Sequence, residues 1–450
     1  MKNVTKLLVF VVAILVAVAL ATHAGAYPTV YPTGTTIYKP DQAYNGFLLI
    51  AGFAPPGGNS PNPYIRSGDP ARLKLGQAQD QSMEEAKALE AMNLKQPRQT
   101  VLIDMMGNIV HAWPSRGELK VVLLPNGNLF EQYVEYDWNG NVVRELKPPT
   151  KTHHDGRVLP NGNYLLLCYE DLPKEKLSGV KDVEVPWWGL IKRSGIKLIG
   201  DTIIEMTPDQ KVVWEWKSSA ELDINRFSPV NPENDWTHGN TISPIPENRW
   251  YDAGDKRFKP GNIIYNPRNL DQIVIIDKET KKIVWSWAHS INGGLSHPHS
   301  VDMIPKGMPG EGDLILFDNG LFPRNRDHNG QSMVLEINPV AKEIVWKYET
   351  MGYSNMKFFS KTQGFAQRLP NGNTLIIESN TGRAFQVKPV KGHPDGGEIV
   401  WEYVHNTQLG FDALYPYDYI PLLKSLPHKE MVVTPPDNLL WKLTSEHGGK

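Results

Sequence analysis

The chain has 450 residues, a formal net charge of −2 at pH 7 and a hydrophobic content of 40%. This composition is typical of a globular protein and lacks the basic excess that nucleic-acid binding requires, so we expect no nucleic-acid partner. The length allows two or three domains or one long repeat architecture. Internal repeats are therefore the first feature to look for.

Residues 1–26 have the three parts of a secretory signal peptide. Lys2 and Lys6 precede an apolar run over residues 7–21, and Ala24-Gly25-Ala26 follows as a cleavage site. We expect cleavage after Ala26 and a periplasmic or secreted protein with no stable membrane insertion afterwards. An uncleaved anchor is the alternative, although the apolar run is shorter than the roughly 20 residues that a membrane span needs.

The segment before the repeats, residues 27–100, is interpreted as an N-terminal extension. Within it, residues 46–51 resemble a strand, and residues 71–97 are rich in helix formers and predict one surface helix. The single cysteine, Cys168, cannot form an internal disulfide and lies in an apolar segment. We interpret it as a small buried hydrophobe.

From residue 101 onward the chain repeats a pair of strands with a polar turn between them and an aromatic or apolar end. The six copies are residues 101–113, 136–146, 203–216, 274–287, 334–348 and 385–403. A Pro-Asn-Gly-Asn turn before an apolar strand lies at residues 125–128, 160–163 and 370–373, with weaker versions near residues 245 and 304. Asn-Gly is a strong hairpin signal because both central residues of a type I′ turn need positive φ.

Short antiparallel strands repeated at intervals of tens of residues predict an all-β fold, a six-bladed β-propeller over residues 101–404. An N-terminal helical excursion and a short C-terminal tail, residues 405–450, would flank it. We expect the strand at residues 46–51 to complete the last blade and close the ring. Pairs such as Trp214 and Trp216 alternate along strands and are expected to pack between blades.

Function in such a scaffold is expected from polar residues in the loops that connect the strands. The polar clusters next to predicted inner strands are residues 153–155, 235–240, 266–269, His297 and His299 with residues 318–320, Arg324 and Arg326, and residues 360–364. His154, His238 and His299 sit in three different repeats, at comparable points ahead of an inner strand or its hairpin. Because the blades of a propeller surround one channel, these histidines are predicted to line one funnel.

Three histidines could bind zinc or copper. However, the same clusters contain Arg268, Arg324, Arg326 and Lys361, and fixed cations oppose the binding of a metal dication. A cationic funnel lined by histidines favours an anion whose oxygens gain negative charge in a transition state. We therefore expect neither a metal nor another cofactor.

These motifs resemble the arylsulfate sulfotransferases, exported six-bladed propeller enzymes that do not use the nucleotide sulfate donor. The segments that carry the resemblance are residues 153–155, 235–240 and 268–270, His299 with residues 317–320, and residues 367–373. The resemblance implies a ping-pong transfer of a sulfuryl group from a phenolic sulfate ester to a phenol through a sulfohistidine. Small-molecule aryl sulfates and phenols would be its partners.

The resemblance also implies a role for each matched residue. His299 would be the histidine that becomes sulfated, with His154, His238 and Arg268 as the other catalytic residues. Asn240, Lys361, Thr362, Asn319 and His297 would bind substrate. Because sulfuryl transfer passes through a loose planar group, its oxygens need positive donors. His299 must attack as a neutral imidazole, so we expect an acceptor to hold its other nitrogen.

Departures from the family pattern keep alternatives open. Asn266-Pro267 precede Arg268 where the family commonly has two serines, and His297 is a second candidate nucleophile two residues before His299. The alternatives to a transferase are a propeller that binds sulfated or anionic ligands without turnover, and a quinoprotein-like oxidoreductase, although quinoprotein dehydrogenases have eight blades. The donor, the acceptor and the oligomeric state stay open, with a homodimer as one option.

Overall fold

The computed structural model describes residues 33–53, 98–117, 120–185, 189–226, 234–288, 294–320, 331–350, 358–405 and 408–434. The strands are, in chain order, β1 (Gly34–Tyr38), β2 (Gly46–Phe53), β3 (Gln99–Ile103), β4 (Ile109–Pro114), β5 (Val121–Leu123), β6 (Leu129–Glu131), β7 (Val134–Tyr136), β8 (Val142–Glu145), β9 (Thr152–Val158), β10 (Tyr164–Asp171), β11 (Val183–Val185), β12 (Gly189–Ile191), β13 (Ile199–Met206), β14 (Val212–Lys217), β15 (Gly239–Pro244), β16 (Ile263–Pro267), β17 (Ile273–Ile276), β18 (Ile283–Trp287), β19 (Pro298–Met303), β20 (Leu314–Asp318), β21 (Met333–Asn338), β22 (Glu343–Tyr348), β23 (Phe365–Arg368), β24 (Thr374–Glu378), β25 (Arg383–Pro389), β26 (Gly397–Val404) and β27 (Ala413–Pro416).

Helical structure is sparse in the described ranges. The α-helices there are α1 (Lys174–Leu177), α2 (Ser218–Glu221) and α3 (Arg249–Asp252), and 3-10 turns lie at Lys256–Phe258, Arg268–Leu270, Ser379–Thr381 and Leu423–Ser425. None of these described helices is long and apolar enough to cross a membrane. The predicted signal peptide, the predicted helix over residues 71–97, Arg324 and Arg326 all lie outside the described residues.

Six antiparallel sheets form the six blades of a β-propeller, which confirms the predicted fold class. From the inner to the outer strand the blades are β27-β2-β3-β4, β5-β6-β7-β8, β9-β10-β13-β14, β15-β16-β17-β18, β19-β20-β21-β22 and β23-β24-β25-β26-β1. The repeated strand pairs are the two outer strands of each blade, and the Pro-Asn-Gly-Asn turns join the two inner strands. Strand β15 contacts β9 on one side and β19 on the other, which places these three strands around the channel.

The ring is closed by both ends of the chain. Strand β2 lies in the first blade, where Leu48 pairs with Leu414 of β27 and with Ile103 of β3. The last blade instead receives β1, with Tyr38 opposite Trp401. The prediction that residues 46–51 complete the last blade is therefore wrong, because an apolar strand does not specify its partner without the ring geometry. The propeller also extends beyond residues 101–404 at both ends.

Outer-strand tryptophans hold neighbouring blades together, as their spacing predicts. The indole Nε1 atoms of Trp113, Trp214, Trp285, Trp346 and Trp401 donate to the backbone carbonyls of Asp137, Lys278, Pro339, Gly396 and Met105 in the next blade. The Trp401 bond, at 2.8 Å, spans the junction between the last and first blades. Strand β8 has no tryptophan, and there Arg144 Nη1 donates to the Pro208 carbonyl at 2.7 Å.

Candidate functional site

The inner strands of three consecutive blades begin with an unusual backbone. His154, His238 and His297 have φ values of 54°, 44° and 56°, in the left-handed region that non-glycine residues rarely adopt. The pairing of β9, β15 and β19 with its neighbour also shifts at this point. Strained residues and bulges of this kind concentrate at functional sites, because they redirect side chains that a regular strand would place elsewhere.

The histidines occupy two levels of the channel. Each inner strand leads to a turn that begins at Leu159, Ile245 or Ile304. Five positions before these turn residues lie His154, Asn240 and His299, which form the first level. Seven positions before the last two turn residues lie His238 and His297, which form the second level. The predicted common register of His154, His238 and His299 therefore holds for His154 and His299, while His238 lies one level away. In the last blade the first level is Gly364, whose φ of 106° requires glycine.

His299 is held in one tautomer. Its Nδ1 lies 2.5 Å from Asn319 Oδ1 and 3.0 Å from the carbonyl oxygen of His297. The Asn319 amide cannot turn, because its Nδ2 donates to the carbonyls of Ser360 at 2.8 Å and Gln363 at 2.6 Å. Both neighbours of Nδ1 are thus acceptors, which assigns the ring proton to Nδ1 and leaves the lone pair on Nε2.

The charge around His299 keeps its ring neutral. Burial lowers its pKa well below the usual value, and the Arg268 guanidinium lowers the pKa further. Arg268 directly follows β16, at the same end of the blades as the start of β19. Its Nε donates to Asn269 Oδ1 at 3.0 Å, and Asn269 Nδ2 donates to the Asp235 carbonyl at 2.6 Å. Pro267 therefore does not keep the arginine from the histidines.

His154 and His238 form a second pair of imidazoles beside Arg268. Their ring centroids are 4.5 Å apart in an edge-on arrangement, and His238 Nδ1 lies 2.6 Å from Asp235 Oδ2. The pKa of His154 is lowered well below its usual value by burial and then by its cationic neighbours, His238 first among them. The carboxylate on His238 favours a protonated Nδ1 on that ring, so its Nε2 is the nitrogen that can exchange a proton.

Two further predicted residues lie at the same place. His297 is 2% exposed, its backbone N–H donates to Asp271 Oδ1 at 2.8 Å, and its pKa is lowered to about 3 by burial and by Arg268. Asn240 is also 2% exposed; its Nδ2 lies 3.4 Å from the Pro298 carbonyl, while its Oδ1 is buried with no hydrogen-bond donor among the described residues. A buried amide oxygen of this kind has capacity for a ligand donor.

The remaining predicted binding residues are placed differently. Asn319 lies behind His299 with its amide fully used inside the protein. Thr362 donates its backbone N–H to Asn380 Oδ1 at 2.9 Å, and Lys361 is exposed. No contact within the described part of the chain joins Lys361 to the histidine cluster.

A charged layer lies deeper in the channel, three residues further along the inner strands. Arg157 Nη2 is 3.3 Å from Asp302 Oδ1, and Arg157 Nε is 3.3 Å from Asp155 Oδ1. Lys120 is 6% exposed, with its Nζ 5.6 Å from the ring centroid of Phe411, a ring that also stacks against His299 at 6.2 Å. Most of these contacts could not be predicted from the sequence, because they join side chains of different blades or, for Phe411, of the C-terminal segment.

Within the described residues, no group of three or more His, Cys, Asp or Glu side chains has the arrangement of a metal site. The site combines neutral imidazoles with a fixed guanidinium. Such a set can bind an anion, attack it with an unprotonated ring nitrogen and move one proton.

Comparison with solved structures gives several matches, all at low sequence identity. A protein of unknown function from Bacteroides caccae is 12% identical with a TM-score of 0.42, covering 70% of this chain and 93% of that one. A streptogramin B lyase is 11% identical with a TM-score of 0.38, covering 70% and 87%. A putative 6-phosphogluconolactonase from Bacteroides fragilis is 8% identical with a TM-score of 0.38, covering 84% and 99%. Comparison with curated proteins gives no significant match.

The family comparison matches the part of the chain that holds most of the site. The family model described as Arylsulfotransferase (ASST) matches residues 74–292, a range that includes His154, His238 and Arg268 and ends before His297 and His299. The match supports arylsulfotransferase activity in general and agrees with the resemblance seen in the motifs. The chain is therefore similar to the Arylsulfotransferase family over residues 74–292.

Proposed function

We propose that this protein transfers a sulfuryl group from a phenolic sulfate ester to a phenol in two steps, with His299 as the group that is transiently sulfated. In the first step a bond forms between His299 Nε2 and sulfur while the bond from sulfur to the phenolic oxygen breaks. In the second step the acceptor phenol attacks the same sulfur and releases His299. The family match over residues 74–292 supports the reaction class, and the two steps and the sulfohistidine are the proposal.

The observation that carries the proposal is the fixed tautomer of His299. Two acceptors, Asn319 Oδ1 and the His297 carbonyl, face Nδ1, so Nε2 has the lone pair that a nucleophile needs. Burial lowers the pKa of His299, so the ring is neutral near neutral pH. An imidazole prepared in this way can attack without first losing a proton.

The surroundings favour an anionic sulfuryl group. Arg268 provides a fixed cation, and Asn269 holds its Nε at 3.0 Å. A loose transition state leaves negative charge on the sulfuryl oxygens, and a guanidinium in a site of low polarity stabilises such charge strongly. Asn240 is a further candidate for contact with the substrate, and His154 and His238 are candidates to carry the proton.

The test is formation of a covalent adduct in the absence of acceptor. The protein is incubated with 4-nitrophenyl sulfate, and its intact mass and its release of nitrophenol are followed. We expect one added sulfuryl group per chain and one equivalent of nitrophenol, both lost in His299→Asn. The matched variant His297→Asn, two residues away, should still form the adduct.

Each of the other outcomes indicates a different nucleophile or a different function. An adduct that survives in His299→Asn but not in His297→Asn moves the nucleophile to His297. Saturable binding of the sulfate ester by calorimetry, with no nitrophenol released by wild type, indicates a binding module and overturns the proposal. Visible absorption from a bound quinone would favour an oxidoreductase.

The place of action is also a proposal. The N-terminal charge and hydropathy pattern motivates export to the periplasm or the medium with loss of residues 1–26. N-terminal sequencing of the protein recovered from those fractions tests it, and a mature chain that begins at Met1 would contradict it.

A further inference from the structure

A line of contacts leads from His154 into the third blade. His153 Nδ1 lies 2.9 Å from His154 Nδ1, and on its other side His153 Nε2 lies 3.1 Å from Asp201 Oδ1. The N–H meets this oxygen at an oblique angle, so the contact is chiefly electrostatic. The Tyr169 ring stacks on His153 with centroids 4.1 Å apart, which fixes the plane of the imidazole.

Asp201 is a fixed buried carboxylate. It is 0% exposed, and its Oδ2 accepts from the Tyr265 hydroxyl at 2.5 Å and from the Gly239 backbone N–H at 2.6 Å. Burial raises the pKa of Asp201, but His153 and these donors lower it below the ordinary value. The approach depends on Gly239, since a Cβ there would lie 2.6 Å from Asp201 Oδ2.

The carboxylate determines where the protons lie in the neutral pair. A negative oxygen beside Nε2 favours the proton on that nitrogen of His153, which leaves Nδ1 as an acceptor. His154 must then donate from Nδ1, and its Nε2 has the lone pair. The partners therefore prepare His154 as a base in the same way that Asn319 prepares His299 as a nucleophile.

The charges that face His154 decide which ring can hold an extra proton. Burial is the main factor that disfavours a cation on His154, and His238, His153, His299 and Arg268 add to it. His153 has the Asp201 carboxylate against its Nε2 instead. A proton that arrives at His154 Nε2 is thus better accommodated if the proton on Nδ1 moves across the 2.9 Å gap to His153.

We propose that His153 and Asp201 are positioning residues that form a proton relay behind His154, so that His154 exchanges a proton with the phenolic oxygen without keeping the positive charge. The inference rests on the proposed sulfuryl transfer. The pair first takes up one proton from solvent, so that His154 carries a proton on Nε2 and His153 carries one on Nδ1. When the donor reacts, the sulfur to oxygen bond breaks, His154 Nε2–H protonates the leaving phenolate, and the Nδ1 proton of His153 moves to His154 Nδ1. When the acceptor reacts, its phenolic proton goes to His154 Nε2 and the same steps run backwards.

If His153 and Asp201 form a relay, the loss of rate in their variants depends on the leaving group. A purely structural role of these residues predicts no such dependence. 4-Nitrophenolate is a stable anion and leaves without a proton, whereas unsubstituted phenolate needs one. In Asp201→Asn and His153→Gln, without acceptor, we expect the first burst of phenol release from phenyl sulfate to slow by about 10²- to 10³-fold, within the range of general acid catalysis, while the burst from 4-nitrophenyl sulfate stays within about threefold. The matched control is Glu170→Gln, a buried carboxylate of the same blade bonded to Ser218 and Ser219, which should change both donors equally.

A second measurement does not need turnover. In Asp201→Asn the amide oxygen must face the Tyr265 and Gly239 donors, so the NH₂ group turns to His153 and reverses both tautomers. Nitrogen NMR of histidine-labelled protein at mildly alkaline pH should show His154 protonated on Nδ1 in wild type and on Nε2 in Asp201→Asn. An unchanged His154 tautomer overturns the relay.

The outcomes separate the two proposals. Equal losses with both donors in Asp201→Asn, or no loss with either, overturn the relay while sulfuryl transfer stands. Failure of wild type to transfer from either donor overturns the transfer reaction and the relay with it, even if the tautomers are as expected.

Discussion

Replacement of Asn319 by aspartate should move the acid limb of the pH-rate profile to higher pH. The side chain keeps its shape, but a carboxylate replaces the amide oxygen that lies 2.5 Å from His299 Nδ1. An opposite charge within about 4–6 Å raises the pKa of a histidine by roughly 1 to 3 units, equivalent to about 1.4 to 4 kcal/mol. In the proposed reaction His299 attacks only when neutral, so the active fraction falls about tenfold for each unit by which the pH lies below the new pKa.

The sign of this effect follows from the wild-type site. Burial and Arg268 lower the pKa of His299 well below its ordinary value, so wild-type His299 stays neutral as the pH falls. The acid limb of Asn319→Asp should therefore appear at least about one pH unit above that of wild type. The assay is the first burst of nitrophenol release from 4-nitrophenyl sulfate, measured over a range of pH.

The matched variant Asn319→Leu separates charge from lost hydrogen bonds. It also removes the bonds to the Ser360 and Gln363 carbonyls, but it brings no charge to His299. We expect a lower burst rate at every pH with the acid limb no higher than in wild type, because the hydrogen bond to Asn319 raises the pKa of His299 and is lost. Superimposable acid limbs for wild type and Asn319→Asp would refute the assignment of His299 as a nucleophile held by Asn319.

Other predictions concern the scaffold and its dependence on pH. Trp401→Phe should destabilise the protein by about 1–3 kcal/mol in urea unfolding, because the Met105 carbonyl keeps only its bond from Thr35 Oγ1 and a cavity remains; a loss below about 0.5 kcal/mol would contradict this view of ring closure. Gly364→Ala should lower the melting temperature and the burst rate together, since its φ is 106° and a Cβ would lie 2.4 Å from Phe317; an unchanged melting temperature would contradict this. Burial lowers the pKa of His405 to about 4, so the unfolded chain binds a proton there between about pH 6.5 and 4 and stability falls as the pH drops. Urea unfolding at pH 7 and 5 should show wild type losing about 2 kcal/mol more than His405→Gln over that interval, and equal losses would contradict the shift.

The fold was predictable because its signals are local. Asn-Gly turns, alternating apolar strands and a tryptophan at the end of most outer strands each act over a few residues, and the six blades repeat them. Ring closure was not predictable, since β2 pairs with β27 more than 350 positions away along the chain, as the Leu48 and Leu414 pair illustrates. Nothing in a short apolar strand specifies so distant a partner.

The candidate site also contains residues that could be predicted from the sequence and residues that could not. His154, His238, His299 and Arg268 could be named from motifs, because each lies at the start or end of a recognisable inner strand. Asp201 could not, since it lies on β13, where the sequence Ile-Gly-Asp-Thr-Ile-Ile-Glu-Met indicates only a strand. Its role emerges when β13 is packed beside β10 and against β15, which brings its carboxylate between His153 and Gly239.

The resting charge of the site explains why an anionic substrate would complete it. Burial lowers the pKa values of His154, His297 and His299 most, and Arg268 lowers them further, so without substrate these imidazoles are held neutral next to a positive group. A sulfate ester brings a negative charge to the guanidinium and thereby removes part of the repulsion that disfavours protonation of the rings. Substrate binding should therefore favour protonation of the imidazoles, which supplies the proton that the leaving phenolate needs. Because His299 is already held with its proton on Nδ1, the proton entering with the substrate is directed to the His154 pair and not to the nucleophile.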